Sequence, residues 1–264
     1  MKEICNDLRE ECQALDDIVA ELDDESWSLK TSFYDWTIKD EIAHLAYFDY
    51  FARLSATDKE AFEKEMLILA EDVENLFEKT LEPGRLKSNK ELLEWWRTER
   101  NLMVEAYGKL DPKTRLPWHI PMSARSSATA RLMETWAHGQ DIVDTLGLKR
   151  PSSDRIKHIA HLGVSTFAWS FSCRGLAVPD EKVSVDLESP SGQIWTWGTQ
   201  SSANIIKGKA EDFCLVVAQR RHYLDTNLQV KGDTAKKWME IAQVFAGPPV
   251  EGPNPKRGQV LFYG

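Results

Sequence analysis

The spacing of hydrophobic residues changes near residue 150, and this change constrains the fold more than any other feature of the sequence. In the first half, apolar residues recur at the three- and four-residue intervals of amphipathic helices. The predicted helices are residues 2–24, 37–54, 89–108 and 124–146, with a charged helical stretch at 58–80. The triplet Glu82-Pro83-Gly84 is expected to end the charged stretch. Long helices with a shorter insert predict an antiparallel four-helix bundle.

The second half combines helical and strand patterns. A helix is predicted at 153–173, and residues 183–187 then alternate between apolar and polar types, as in a half-buried strand. A turn at 189–192 leads into residues 194–197, which are predicted to pair back as a hairpin. The remaining predicted elements are strands at 205–206 and 228–230 and helices at 210–222 and 233–246. The predicted fold class is therefore α+β, with a helical bundle at 1–150 and a smaller α+β domain at 151–264.

Composition excludes several classes of partner. The formal net charge is −9, whereas binding to nucleic acid requires a basic surface. No apolar run approaches the roughly 20 residues of a membrane span, and the polar N-terminal segment does not resemble a signal peptide. The four cysteines contain no CxxC pair, which is typical of free thiols in a reducing compartment. We therefore expect a cytoplasmic protein with neither a nucleic-acid partner nor a membrane partner.

Three residues indicate a metal site. Glu134 and His138 are one helical turn apart, so that both side chains project to one side and can share a ligand. His44 lies on the same side of its predicted helix as several aromatic residues and is expected to point inward. One carboxylate and two imidazoles suit a divalent metal such as zinc with an open position. The spacing alone fits a solvated helix face equally well, and a single inward histidine can simply be hydrogen-bonded to a neighbour.

Two further residues are candidates for supporting roles. Asp141, nearly one turn beyond His138, is a candidate for orienting a metal ligand through a hydrogen bond. Arg221 belongs to a basic cluster, residues 220–222, at the end of a predicted helix. Cations are favourable at a helix C-terminus for structural reasons. The functional interpretation is that Arg221 binds a substrate carboxylate through bidentate hydrogen bonds.

The sequence around these residues resembles a known family. DWTIKDEIAHLAYFD, residues 35–49, is similar to the second-helix signature of the DinB-like metal-binding bundles and, more narrowly, of the mycothiol-dependent maleylpyruvate isomerase family. RLMETWAHGQDIVDTLG, residues 131–147, resembles the matching fourth-helix signature. The C-terminal half, with IWTWG and WMEIAQVFAGPP, resembles the α+β domain attached to a subgroup of metal-binding proteins. The resemblance implies a DinB-like bundle in which His44, Glu134 and His138 bind the metal.

The resemblance also implies an enzyme that combines the metal with a low-molecular-weight thiol, either mycothiol or another thiol. Zinc is the expected metal, with nickel and iron as alternatives. A metal-bound thiol is held as thiolate at neutral pH, and it would add to the double bond of an unsaturated small-molecule acid, giving an isomerase or a thiol transferase. The predicted catalytic residues are His44, Glu134, His138 and Arg221.

Two other functions stay open from sequence. A hydrolase or cyclase would use the same metal to activate water, and a non-catalytic module would only bind a small molecule. A three-ligand site favours an enzyme, because structural zinc is normally closed by four protein ligands. A small-molecule substrate is the expected partner, and the sequence leaves a homodimer open.

Overall fold

The structure is a computed structural model that describes residues 1–199 and 203–256. The chain forms two compact units, Met1–Arg150 and Pro151–Gly264. The first unit is built mainly from helices, and the second combines helices with a four-stranded sheet. The predicted α+β fold class is confirmed.

The first unit is a bundle of long helices with a shorter helical insert. Its helices are α1 (Lys2–Val19), α2 (Ile38–Thr57), α3 (Lys59–Ala70), α4 (Leu76–Arg85), α5 (Asn89–Gly108) and α6 (Ala124–Thr145). A short 3-10 helix, Ser26–Ser28, precedes α2, and strands β1 (Arg115–Leu116) and β2 (Met122–Ser123) pair just before α6. Helices α1, α2, α5 and α6 form the bundle, and each buries apolar side chains in its core, including Leu8, Ile42, Leu92 and Leu132.

The bundle contains both antiparallel and parallel neighbours. Helices α2 and α6 run antiparallel, as expected, whereas α2 and α5 run in the same direction. The contacts that establish these directions are Glu41–His138 with Asp49–Arg131 for the first pair, and Asp49–Trp96 with Arg53–Glu99 for the second. The insert of α3 and α4 returns the chain to the starting end of α2, which is why α5 can run alongside it. The helices α2 and α6 therefore face each other, although they are far apart in the sequence.

The start of α2 is fixed by the predicted capping box. The Thr37 hydroxyl accepts a hydrogen bond from the Asp40 N–H, and the Asp40 carboxylate accepts one from the Thr37 N–H at 3.0 Å. A cap of this kind contributes about 1 kcal/mol to helix stability. Because the first turn is fixed, Glu41 and His44, three residues apart, lie on the same side of the helix.

The charged segment differs from the prediction of one helix at 58–80 that ends at Pro83. It forms two helices, and Pro83 lies inside the second, α4. Only two residues of α4 follow Pro83, so that the backbone hydrogen bond it removes lies in the last turn. Gly84 is needed at the next position, because a Cβ there would lie 2.4 Å from the Ala43 Cβ on α2. The α4 helix therefore packs directly against the helix that carries His44.

The second unit contains a mixed sheet with strand order β4-β3-β5-β6. Its elements are α7 (Lys157–Ser165), α8 (Phe167–Ser172), β3 (Ser184–Glu188), β4 (Ile194–Trp197), β5 (Ile205–Lys209), α9 (Ala210–Val217), β6 (Gln229–Lys231) and α10 (Asp233–Ile241). The predicted hairpin is confirmed as β3 paired with β4, and β5 pairs in parallel with β3. The helix predicted at 153–173 is interrupted, with a 3-10 turn at Asp154–Ile156 and a break at Thr166.

Helix α9 ends earlier than predicted, at Val217 rather than at residue 222. Gln219 has a φ of 58°, which is a left-handed conformation that no α-helix can continue through. Among the described residues, no helix combines the length and apolar character that crossing a bilayer requires. The four cysteines are all free thiols, and three of them, Cys5, Cys12 and Cys214, are buried.

Candidate metal centre

The structure brings His44, Glu134 and His138 together between α2 and α6. His44 Nε2 lies 3.5 Å from Glu134 Oε2, and His138 Nε2 lies 3.2 Å from the same oxygen. The two imidazole ring centroids are 4.5 Å apart. One potential ligand atom from each residue lies within 4.8 Å of the other two. This spacing is compatible with all three atoms contacting a single ion.

Burial differs among the three side chains. The His138 side chain is 3% exposed and that of His44 is 10% exposed, whereas the Glu134 side chain is 24% exposed. The alternative of a solvated helix face therefore does not describe His138, whose ring lies inside the bundle. The two imidazoles form the inner side of the cluster, and the carboxylate forms its solvent-facing side.

Glu41 is hydrogen-bonded to the other nitrogen of His138. The sequence analysis did not predict this contact. Glu41 Oε2 lies 2.6 Å from His138 Nδ1, and its Oε1 accepts a 2.6 Å hydrogen bond from the Thr31 hydroxyl. Asp141, the residue predicted for this role, is farther away, with Oδ2 3.9 Å from the same nitrogen. The available signal was that Glu41 lies three residues before His44, on the same side of α2. A carboxylate that accepts from the far nitrogen of a metal-binding histidine is a recurrent arrangement.

The electrostatic state of the cluster suits a cation. Burial, together with the charge of His138, lowers the pKa of His44 to about 4, so that its imidazole is neutral at pH 7. Burial alone would raise the pKa of Glu134, but hydrogen bonds with His138 and His44 hold it well below its usual value. Burial raises the pKa of Glu41 above its usual value, against the opposing hydrogen bond with His138. At neutral pH the centre therefore offers a neutral imidazole beside an ionised carboxylate, which is the form in which these groups bind metals.

The hydrogen-bond pattern tests whether these residues fit a divalent metal. In the neutral tautomer of His138 that donates Nδ1–H to Glu41, Nε2 carries a lone pair that faces Glu134 Oε2 at 3.2 Å. Two acceptors at that distance require a proton or a cation between them. His44 Nδ1 is buried and has no hydrogen-bond partner among the described residues, so that only the cluster itself constrains the protonation of this ring. A nitrogen, nitrogen and oxygen donor set of this kind fits zinc and other first-row divalent ions.

Aromatic rings enclose the two imidazoles. The Trp36 ring lies 5.3 Å from the His44 ring and stacks on the His138 ring at 6.0 Å, with an interplanar angle of 12°. Phe33 meets His138 edge-on at 5.1 Å, and Phe48 lies 4.6 Å from His44. These apolar rings exclude water from the inner side of the cluster, which strengthens electrostatic interactions there.

Arg221, the fourth predicted catalytic residue, belongs to the second unit. It follows α9, it is half-buried, and its Nη1 donates a 2.7 Å hydrogen bond to the Arg220 carbonyl oxygen. The neighbouring Arg220 donates in the same manner to the Ala218 carbonyl oxygen at 2.9 Å. These contacts satisfy carbonyls that follow the helix, as expected for cations at this position. A role for Arg221 at the metal centre stays a prediction.

Comparison with known proteins places the chain in a family. The model of the mycothiol maleylpyruvate isomerase N-terminal domain matches residues 8–143, which include all three residues of the cluster. Uncharacterized proteins from two strains of Mycobacterium tuberculosis are each 40% identical over 247 residues, covering 93% of this chain and 96% of the relative.

Solved structures support the same fold. Crystal structures of the mycothiol-dependent maleylpyruvate isomerase and of one of its alanine mutants each match with a TM-score of 0.56. Each alignment covers 83% of this chain and 89% of the solved chain at 14% sequence identity, so that the similarity concerns the fold. The matched family model and the fold agree: the chain belongs to the mycothiol maleylpyruvate isomerase N-terminal domain family.

Proposed function

We propose that the protein is a metal-dependent enzyme that activates a low-molecular-weight thiol for addition to an unsaturated small-molecule acid. The observation that carries the proposal is the convergence of His44, Glu134 and His138, with one ligand atom of each within 4.8 Å of the others. Three protein ligands leave coordination positions free for an exchangeable molecule, as in catalytic zinc sites. Membership in a family whose name includes mycothiol supports a thiol as that molecule.

A divalent cation bound by these three residues would lower the pKa of a thiol so that it is held as thiolate at neutral pH. Zinc is the first choice, with nickel and iron as alternatives, because two imidazoles and a carboxylate suit all three. The thiol is mycothiol or a thiol of similar size. Glu134, which is 24% exposed, marks the side from which such a molecule reaches the cluster.

The protein's own residues position the reactants. Glu41 orients His138, and the rings of Trp36 and Phe33 keep water away from the imidazoles. Arg221 is our candidate for binding the substrate carboxylate, because a guanidinium matches a carboxylate with two hydrogen bonds. For an isomerisation, the thiolate sulfur adds to one carbon of the double bond, and the π electron pair moves onto the conjugated carbonyl of the acid as an enolate. The resulting single bond rotates, and collapse of the enolate expels the same thiolate and restores the double bond. If the enolate instead takes up the proton that the thiol lost, the adduct is retained and the protein is a thiol transferase.

The test combines metal content with thiol dependence. Protein purified without chelator is analysed for metal, and turnover of unsaturated acids such as maleylpyruvate is measured with mycothiol, with glutathione and without thiol. We expect about one metal per chain and turnover only with a thiol, with both lost in His138→Ala. His119→Ala, which removes a histidine outside the cluster, is the matched control and should keep both.

The outcomes separate the candidate functions. Metal content in His138→Ala equal to that of His119→Ala would contradict the assigned ligands. Full turnover without thiol would indicate that water takes the place of the thiol and that the protein is a hydrolase or cyclase. Bound metal without turnover on any thiol and acid pair would favour a non-catalytic binding module.

A further inference from the structure

The segment before α2 forms a short aromatic strap over the cluster. The strap is defined as residues 30–37, and an antiparallel bridge between Lys30 and Thr37 closes its base. At its tip, the Trp36 N–H donates a 3.0 Å hydrogen bond to the Phe33 carbonyl oxygen. The two residues between them, Tyr34 and Asp35, have φ angles of 51° and 56°, as in a type I′ turn. Asparagine and glycine are the usual residues there, so that the turn depends on its surroundings.

Thr31 connects the strap to the metal centre. Its side chain is buried, and its hydroxyl donates to Glu41 Oε1 at 2.6 Å while accepting from the Phe33 N–H at 3.3 Å. The Thr31 backbone N–H also donates to the Trp36 carbonyl oxygen at 2.6 Å. One residue therefore holds the turn of the strap and one oxygen of Glu41 at the same time.

The connection continues to the metal-binding side chains by two routes. The second oxygen of Glu41 lies 2.6 Å from His138 Nδ1, which completes a chain of hydrogen bonds from Thr31 to His138. In addition, Phe33 and Trp36, which belong to the strap, contact the His138 ring directly. The strap therefore meets His138 both through this chain of hydrogen bonds and through its aromatic rings.

We propose that Thr31 is a positioning residue of the metal centre, and that strap conformation and metal affinity are coupled through it. The proposal rests on the metal site of the proposed function. The Thr31 hydroxyl has one proton, and donating it to Glu41 leaves the other Glu41 oxygen directed at His138. Without that donor, Glu41, which is 0% exposed, has a buried oxygen with no hydrogen bond, and we expect its carboxylate to rotate. Coupling is reciprocal, so that metal binding stabilises the strap to the same extent.

Affinity for Zn²⁺ alone, measured by competition with a chromophoric chelator, tests the positioning role. Changing a partner in the outer shell of a metal site typically lowers affinity 10- to 100-fold, and we expect about a tenfold loss for Thr31→Val. Thr31→Ser keeps the hydroxyl and should bind Zn²⁺ as tightly as the wild type. If Thr31 acted only by packing, the loss of its methyl group would lower the affinity in Thr31→Ser as well. Thr98→Val is the matched control, because among the described residues the Thr98 hydroxyl bonds within its own helix, to the Glu94 carbonyl oxygen at 2.8 Å.

Hydrogen exchange on the unmodified protein tests the coupling without any variant. Zn²⁺ should slow exchange of the Thr31 and Trp36 amides, both of which donate within the strap.

A loss of Zn²⁺ affinity below about threefold in Thr31→Val, against the 10- to 100-fold range expected for such contacts, overturns the positioning role. Unchanged exchange of the two amides overturns the coupling. Wild-type protein that binds no Zn²⁺ overturns the proposed function itself, which distinguishes the two failures.

Discussion

Glu41 Oε2 lies 2.6 Å from His138 Nδ1, although 97 residues separate the two in sequence. Both side chains are almost completely buried, at 0% and 3% exposure. A buried carboxylate at this distance makes Nδ1 the protonated nitrogen and leaves Nε2 free to bind a metal. The pair therefore determines which atom of His138 faces the cluster.

Replacing Glu41 tests this relationship. Glu41→Gln preserves size but removes the charge and the carboxylate acceptor, and we expect metal affinity to fall about 10- to 100-fold. Asp141→Asn is the comparison, because the Asp141 carboxylate is 3.9 Å from the same nitrogen. A larger loss of affinity in Asp141→Asn than in Glu41→Gln, measured by chelator competition, would reverse the assignment.

The buried ion pair of Asp49 and Arg131, which joins α2 to α6, should contribute strongly to the stability of the bundle. Asp49, which is 0% exposed, accepts from Arg131 Nε at 2.9 Å and from Trp96 Nε1 at 3.1 Å. Asp49→Ala leaves the Arg131 charge buried without its partner, and we expect a loss of about 3–5 kcal/mol in the free energy of unfolding.

The control for this ion pair is the exposed pair of Lys59 and Glu63 on α3. Glu63→Ala should change the free energy of unfolding by less than about 1 kcal/mol, because solvent screens the pair. Denaturant titration measures both variants. Equal effects of Asp49→Ala and Glu63→Ala would show that the buried pair adds no more stability than an exposed one.

Asp16 should make stability depend on pH in the acid range. Burial alone would raise the pKa of Asp16, but the hydrogen bond from Arg97 and the charge of Arg100 hold it below its usual value. Its stabilising effect is therefore complete above the pKa of an unfolded aspartate, about 3.9, and is lost as pH falls through the lower folded pKa. The difference in unfolding free energy between wild type and Asp16→Asn should be constant near neutral pH and shrink below about pH 4. A similar trend in Asp17→Asn, at an exposed neighbouring position, would attribute the effect to general charge instead.

Gly84 should tolerate no side chain. A Cβ at this position would lie 2.4 Å from the Ala43 Cβ and 3.0 Å from the Ala43 Cα, so that α4 must move away from α2. We expect Gly84→Ala to destabilise the protein by about 1–3 kcal/mol, the usual cost of overpacking. Gly108→Ala is the matched control, because a Cβ there meets nothing within 4 Å. Thermal unfolding should leave Gly108→Ala unchanged or slightly more stable, and equal melting temperatures for the two variants would contradict the expected clash.

The parts of the fold that depend on local patterns were predictable from sequence. The Thr37 cap and the one-turn spacing of Glu134 and His138 are properties of neighbouring residues, and the structure contains both. The position of Glu41 on the same side of α2 as His44 was readable from their spacing, but its contact with His138 was not, because no local feature shows which distant residue a buried glutamate meets. The prediction that the helix ends at Pro83 was wrong for a related reason. The cost of a proline depends on how much helix follows it, and that depends on where α4 begins.

The unequal exposure of the three clustered side chains has a consequence for substrate choice. The Glu134 side chain is the most exposed of the three, and Ala130, one turn earlier on α6, is half-buried. Under the proposed function, we expect the side chain at position 130 to influence which molecules reach the cluster. A bulky residue at 130 would reduce the space beside Glu134 without changing His44, Glu134 or His138, and we expect it to alter which reactants bind.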